Sequence, residues 1–326
     1  MPLPLDNTLK IGIQTIHRRT EPASEAWRPT VDELATLVEL VDDCGYNSLW
    51  VGDHLAFAVS ILDPLLQLAQ AAVVSPRLTL GTNVYLLPLR HPGPVAKQVA
   101  SLDHLCEGRL IFGVGVGGEF PKEFAVAGVA LNERGARLSA AIPLLRQLWS
   151  GEPVSYAGKY FGEFSEVAMQ PPARQPGGPP IWCGGRADAA LARTGRLADG
   201  WISYVVTPEQ YRAALTKIEA AAENRTVERF GTGHLLFVRL DASYETALDT
   251  AAKSLSQRYA MDFRRAAERY AALGTAEQVA ARIRDFHAAG ARHVVIDLVG
   301  PYEERPRQIE DFAGNVLPLL ADLRGE

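Results

Sequence analysis

The chain has only three cysteines in 326 residues, Cys44, Cys106 and Cys183, and they stand far apart. That number and spacing give neither a CxxC pair nor an even disulfide framework, so reduced and mostly buried thiols are expected. A basic cluster is also missing. The 33 Lys and Arg are scattered among 38 Asp and Glu, for a net charge of -5, which leaves no electrostatic footprint for nucleic acid. No apolar run approaches the roughly 18 residues of a membrane span, and the opening MPLPLDNTLK lacks a basic region followed by an apolar stretch. A cytoplasmic protein with no membrane and no nucleic-acid partner is therefore expected. His287 and His293 have no carboxylate or cysteine at metal-ligand spacing, and no metal site is expected.

What the sequence does have is a sizeable apolar fraction, 47%, arranged as short runs that alternate with longer helical patterns. Strands are expected at residues 9 to 16, 47 to 53, 78 to 84, 108 to 117, 179 to 185, within GRLADGWIS, at 233 to 242 and at 291 to 300. A helix over 30 to 45 is expected to start at Thr30, with Glu33 completing a capping box and Gly45 as its stop. A second box pairs Thr275 with Gln278. Eight strands alternating with helices over about 300 residues fit a closed (β/α)8 barrel better than an open doubly wound sheet. The whole chain, 1 to 326, is read as one barrel domain. It is interrupted at about 151 to 178 by a hairpin, with its turn at Ala157-Gly158, and a proline-rich connector.

In such barrels the loops after the strands form the functional face. Asp53 and His54 sit there, as do Asn83, the run Gly115 to Glu119, Gly184 to Arg186 and, at the ends of the first and sixth strands, Gln14 and Tyr204. Each has a plain structural reading too. An Asp at a strand end often caps the next turn or helix, and a histidine is often a satisfied core residue. GVGVGG lacks the register of a dinucleotide fingerprint, but small residues there would let a flat ring system approach the backbone. Two glycines before a helix, with Arg186 beside them, either hold a phosphate at the positive end of the helix or simply start it. Glu107 and Arg109 precede a strand and belong to the opposite face.

Taken together, GYNSLWVGDHL, LTLGTNVYLLPLRHPGPVAKQVASLDHLCEGRLIFGVGVGGEF, LNERGARLSAAIPLLRQLW, YFGEF and PIWCGGRADAALARTGRLADGW resemble the bacterial luciferase-like monooxygenase superfamily. DHL and GVGVGGEFPKEFAVAGV are most similar to the branch that uses the deazaflavin coenzyme F420. The resemblance implies the same barrel, and hydride transfer between F420 and a small organic substrate. It places Asp53 and His54 beside the ring system, with His54 as a catalytic neighbour and Glu119 as a proton donor. It places a non-proline cis peptide at Asn83-Val84 behind the ring, a glycine loop at Gly115, Gly117 and Gly118, and a phosphate site at Gly184, Gly185 and Arg186. A homodimer is also implied. The alternatives are an FMN-dependent, oxygen-using monooxygenase served by a flavin reductase, and a non-catalytic flavin-binding barrel. The segments 153 to 172 and 117 to 131 are expected to shape the substrate cavity.

Overall fold

In a computed structural model, the structure describes residues 8–14, 30–57, 60–118, 120–223, 225, 227 and 229–325. The strands in chain order are β1 (Lys10–Gln14), β2 (Ser48–Val51), β3 (Thr79–Thr82), β4 (Leu110–Val114), β5 (Val154–Gly158), β6 (Gly162–Val167), β7 (Ile181–Gly184), β8 (Gly200–Tyr204), β9 (Gly231–Leu240), β10 (Ala272–Gly274) and β11 (His293–Leu298). Eight of these close a parallel barrel in the order β1-β2-β3-β4-β7-β8-β9-β11, with β11 returning to β1. All eight are the strands expected from the apolar runs. The hairpin β5-β6 stands apart as a two-stranded antiparallel sheet between β4 and β7.

The barrel closes around two tryptophans. Trp50 and Trp182 lie 5.5 Å apart, ring centre to ring centre, packed with Ile202, Leu235 and Val295. The facing strands make room with glycine: a Cβ on Gly81 would lie 2.2 Å from the Trp50 ring, and one on Gly231 2.1 Å from the Trp182 ring. A branched residue at either place would push an indole out of the barrel. Outside the strands, helices such as Val31–Asp43, Pro92–Leu105 and Arg134–Trp149 bury their apolar faces on the barrel wall and form the main core.

Two local expectations change, and one short strand is not expected at all. The hairpin turn is Lys159 to Phe161 and not Ala157-Gly158, because Ala157 and Gly158 are already paired with Glu163 and Gly162. Thr30 does cap its helix, accepting from the Glu33 amide at 3.1 Å, but the Glu33 carboxylate accepts from the Tyr302 hydroxyl at 2.8 Å and does not close the box. The strand β10, only three residues long, pairs with the end of β9 and is too short to leave a period in the sequence. The box between Thr275 and Gln278 forms as expected.

Candidate active site

A cavity of about 210 Å³ opens among the C-terminal ends of the barrel strands. Gln14 reaches it from β1, Asn83 and Val84 from the loop after β3, and Ile202 and Tyr204 from β8. Gly115, Gly117, Gly118, Gly184 and Gly185 contribute bare backbone to its wall. Phe57, Ile61, Leu235 and Tyr259 add apolar surface.

The loop after β3 is built around Val84. The Asn83-Val84 peptide is cis. The Val84 side chain sits on two strand ends at once: a Cβ on Gly115 would come within 2.3 Å of it, and a Cβ on Gly184 within 2.8 Å. Beside it, the Asn83 amide donates to Gln14 Oε1 at 2.6 Å, which joins the ends of β1 and β3. Gly117 and Gly118 have φ of 59° and 116°, a region that glycine enters without steric cost.

Asp53 and His54 are neighbours in sequence and part ways in space. Both Asp53 carboxylate oxygens face Arg90, which donates at 2.5 Å and 2.9 Å, and one of them also accepts from the Leu86 amide at 2.8 Å. This ion pair fastens the segment after Val84 to the end of β2. Burial is the largest influence on Asp53 and pushes its carboxyl up, against the pull of Arg90. Burial alone would lower Arg90, but the hydrogen bond and charge of Asp53 hold its guanidinium above the ordinary range.

His54 turns the other way. Its ring stacks on Phe57, with centres 3.9 Å apart and planes 2° from parallel, and Phe120 stands edge-on to both rings. Nδ1 lies 3.1 Å and 3.2 Å from the two oxygens of Glu123. The same carboxylate accepts from the backbone amides of Leu55 at 2.7 Å and Ala56 at 3.3 Å. The Glu123 side chain is 1% exposed and the His54 side chain 20% exposed.

At the opposite rim Gly184 and Gly185 lead into the helix Asp188–Leu197, whose first turn has no side-chain cap. Uncapped amides at a helix start attract an anion. Arg186 is exposed beside them, donating to the Val205 carbonyl at 3.1 Å and lying over the Tyr204 ring at 5.5 Å. Asp188 is paired with Lys217 at 2.7 Å.

Residues 10–293 match the luciferase-like monooxygenase family. The chain belongs to that family. It is 28% identical to the F420-dependent glucose-6-phosphate dehydrogenase of Nakamurella multipartita, over 90% of this chain and 94% of that one. It is 30% identical to the protein of the same name from Amycolatopsis mediterranei, over 86% of this chain and 92% of that one. Among solved structures, monooxygenase RslO1 from Streptomyces bottropensis is 27% identical and superposes with a TM-score of 0.81, covering 95% of this chain and 99% of that one. These relatives are all oxidoreductases, and so is this luciferase-like chain.

Within this luciferase-like barrel the residues singled out from the sequence line one cavity, except Arg186, which is exposed and not part of its lining, and Glu119. Glu119 lies outside the described residues. Glu123, four positions later, is not marked by sequence reasoning. In sequence it is an acid in the first turn of a short helix, Pro121–Val126, where a negative charge is ordinary. Only the fold shows it turned inward onto His54. No group of three or more potential metal ligands is found among the described residues.

Proposed function

We propose that the protein transfers a hydride between coenzyme F420 and a small organic substrate in the barrel mouth, with His54 handling the proton that accompanies the hydride. The observation that carries this reading is the similarity, over nearly the full length of both chains, to two F420-dependent dehydrogenases. The site fits such a group. Val84, Ile202 and Leu235 offer apolar surface to a flat ring system, Gln14 and Asn83 offer amides to its polar edge, and Gly117 and Gly118 keep side chains out of its way. The uncapped helix start after Gly184 and Gly185, with Arg186, suits its phosphate.

When bound, a deazaflavin supplies two-electron hydride chemistry and reacts poorly with oxygen. The protein's part is orientation and proton handling. Val84, seated on Gly115 and Gly184, gives the cofactor a rigid backing. Asp53 keeps that backing in register through Arg90 and Leu86. His54 holds or takes one proton at Nε2, the ring nitrogen that Glu123 does not face. Phe57, Ile61 and Tyr259 support a substrate with an apolar body.

A cytoplasmic location and a homodimer are part of the proposal. No helix among the described residues is long and apolar enough to cross a membrane. Leu66 and Val73, seven positions apart on the helix Pro64–Val74, are 72% and 80% exposed and offer apolar surface for a second copy.

A second reading is an FMN-dependent monooxygenase with a reductase partner. Its monooxygenase part is favoured by the 27% identity to monooxygenase RslO1, and its flavin and two-component part by the 29% identity, over 52% of this chain, to the oxygenase component of a flavin-dependent monooxygenase of Acinetobacter baylyi. Parallel fluorescence titrations with F420 and FMN separate the two. Tight F420 binding with weak FMN binding is expected, and the reverse result would replace hydride transfer with oxygen chemistry. Arg186→Ala is expected to weaken F420 binding roughly 10-fold, the loss of one charge-assisted hydrogen bond, without changing kcat. Unchanged affinity would remove Arg186 from the phosphate site.

A further inference from the structure

We infer that Glu123 is a positioning residue that fixes the tautomer of His54, an inference that rests on the proton-handling role proposed above. Glu123, on the helix Pro121–Val126 after β4, reaches the loop after β2, and two backbone amides and one ring nitrogen of His54 converge on its carboxylate. Oε1 accepts from the Leu55 and Ala56 amides, and Nδ1 of His54 lies 3.1 Å from Oε2. Backbone amides can only donate, so Oε1 is held as an acceptor, and Oε1 itself lies 3.2 Å from Nδ1 of His54. An acceptor facing Nδ1 requires the proton to be on Nδ1. In neutral imidazole this leaves Nε2 with its lone pair.

The remaining contacts hold the ring in that orientation. Phe57 covers one face and Phe120 closes an edge, while no described protein group hydrogen-bonds Nε2. His54 thus offers an acceptor to the cavity it lines. For a substrate alcohol, the C–H electron pair leaves with hydrogen as hydride to the deazaflavin, and the O–H proton goes to Nε2. The carbonyl remains, and the charge gained by the imidazole is balanced by Glu123. In the reverse direction Nε2 returns the proton to the oxygen of the forming alcohol.

The geometry also says what Glu123→Gln would do. Leu55 and Ala56 select the carboxamide oxygen for the Oε1 position, so its NH2 takes the place of Oε2 and points at Nδ1. Nδ1 then meets the NH2 at the Oε2 position as well as the oxygen at the Oε1 position, so the carboxamide no longer holds the proton on Nδ1 as strictly as the carboxylate does.

The test is nitrogen NMR of the cofactor-free protein carrying 15N-labelled histidine, at alkaline pH, with the His54 signals identified by their loss in His54→Ala. The wild-type protein is expected to carry the proton on Nδ1, and a proton on Nε2 would overturn the inference whatever cofactor the protein uses. Glu123→Gln is expected to raise the share of protein with the proton on Nε2 and to lower kcat for alcohol oxidation by up to roughly 100-fold, the lower end of a general base's contribution. F420 affinity should stay within about 2-fold. A Gln variant with wild-type tautomer and kcat would also overturn it. If that variant does not fold, the wild-type spectrum still decides. Failure to bind F420 at all would count against the proposed cofactor and leave the tautomer result standing.

Discussion

Deep in the barrel His293 stands edge-on to Trp50 and Trp182, with ring centres 5.2 Å and 5.6 Å away, and its Nε2 meets the Ser48 hydroxyl at 2.7 Å. At the mouth the His54 ring is also packed by aromatic neighbours, stacked on Phe57 and perpendicular to Phe120, but among the described residues only its Nδ1 side is bonded. The two regions use the same residue type for opposite ends. Around His293 the Ser48 hydroxyl links the ring to the Trp50 indole N–H, from which it also accepts, and both indoles pack edge-on against the ring. Around His54 the protein satisfies one nitrogen and presents the other to a cavity. A packed side chain with one nitrogen left to a cavity at a barrel mouth suits a catalytic role.

The largest test of that contrast is His54→Ala. Turnover is expected to fall roughly 100- to 10,000-fold while F420 binding persists, the usual contribution of a positioned acid or base. Steady-state kinetics beside a binding titration would check it, and unchanged turnover would place His54 with the structural histidines. Asp53→Ala, one residue away, should act on stability instead of turnover. Removing the carboxylate leaves the largely buried Arg90 unpaired and the Leu86 amide without its acceptor, so a loss of about 3–5 kcal/mol in unfolding free energy is expected. Chemical denaturation measures it. A small stability change with abolished F420 binding would mean that Asp53 serves the cofactor directly.

How much of this is legible in the sequence depends on how each feature is encoded. The eight strands are written locally: each apolar run such as LWV or HVVIDL is bounded by glycine or polar residues, and the count alone decides for a barrel. The mouth residues are legible by position once the strand ends are known, which is why Asp53, His54, Asn83 and Gly184 stand out. Pairing is not written locally. Nothing near Asp53 announces Arg90, 37 residues on, and nothing near His54 announces Glu123, 69 residues on. The two tryptophans are plain in sequence, but that Gly81 and Gly231 exist to admit them is a fact of the closed barrel. The hairpin turn is misplaced by the sequence pattern because Ala-Gly mimics a two-residue turn, whereas cross-strand pairing at Gly158 and Gly162 sets a longer loop.

A third histidine sharpens the comparison from the outside of the barrel wall. His234, on β9, stacks on Phe286 at 3.9 Å and meets the Ser203 hydroxyl through Nδ1 at 2.8 Å. Burial, aided by the charge of Arg282, pushes its pKa down to about 3 from an ordinary 6.5. Between those values the unfolded chain binds a proton that the folded one refuses, so acidification favours unfolding. The stability tied to this site is complete above pH 6.5 and is lost as the pH falls toward 3, at about 1.4 kcal/mol per pH unit. From pH 7 to pH 5 the loss from this site should be about 2 kcal/mol. Every other titrating group is common to the wild type and to His234→Gln, so the difference between their slopes isolates His234. The variant is expected to be less stable at pH 7 but flatter against pH, as chemical unfolding at pH 5 and pH 7 would show. Equal slopes would mean that His234 titrates alike in both states, and that burial at the barrel wall does not separate it from the histidine at the mouth.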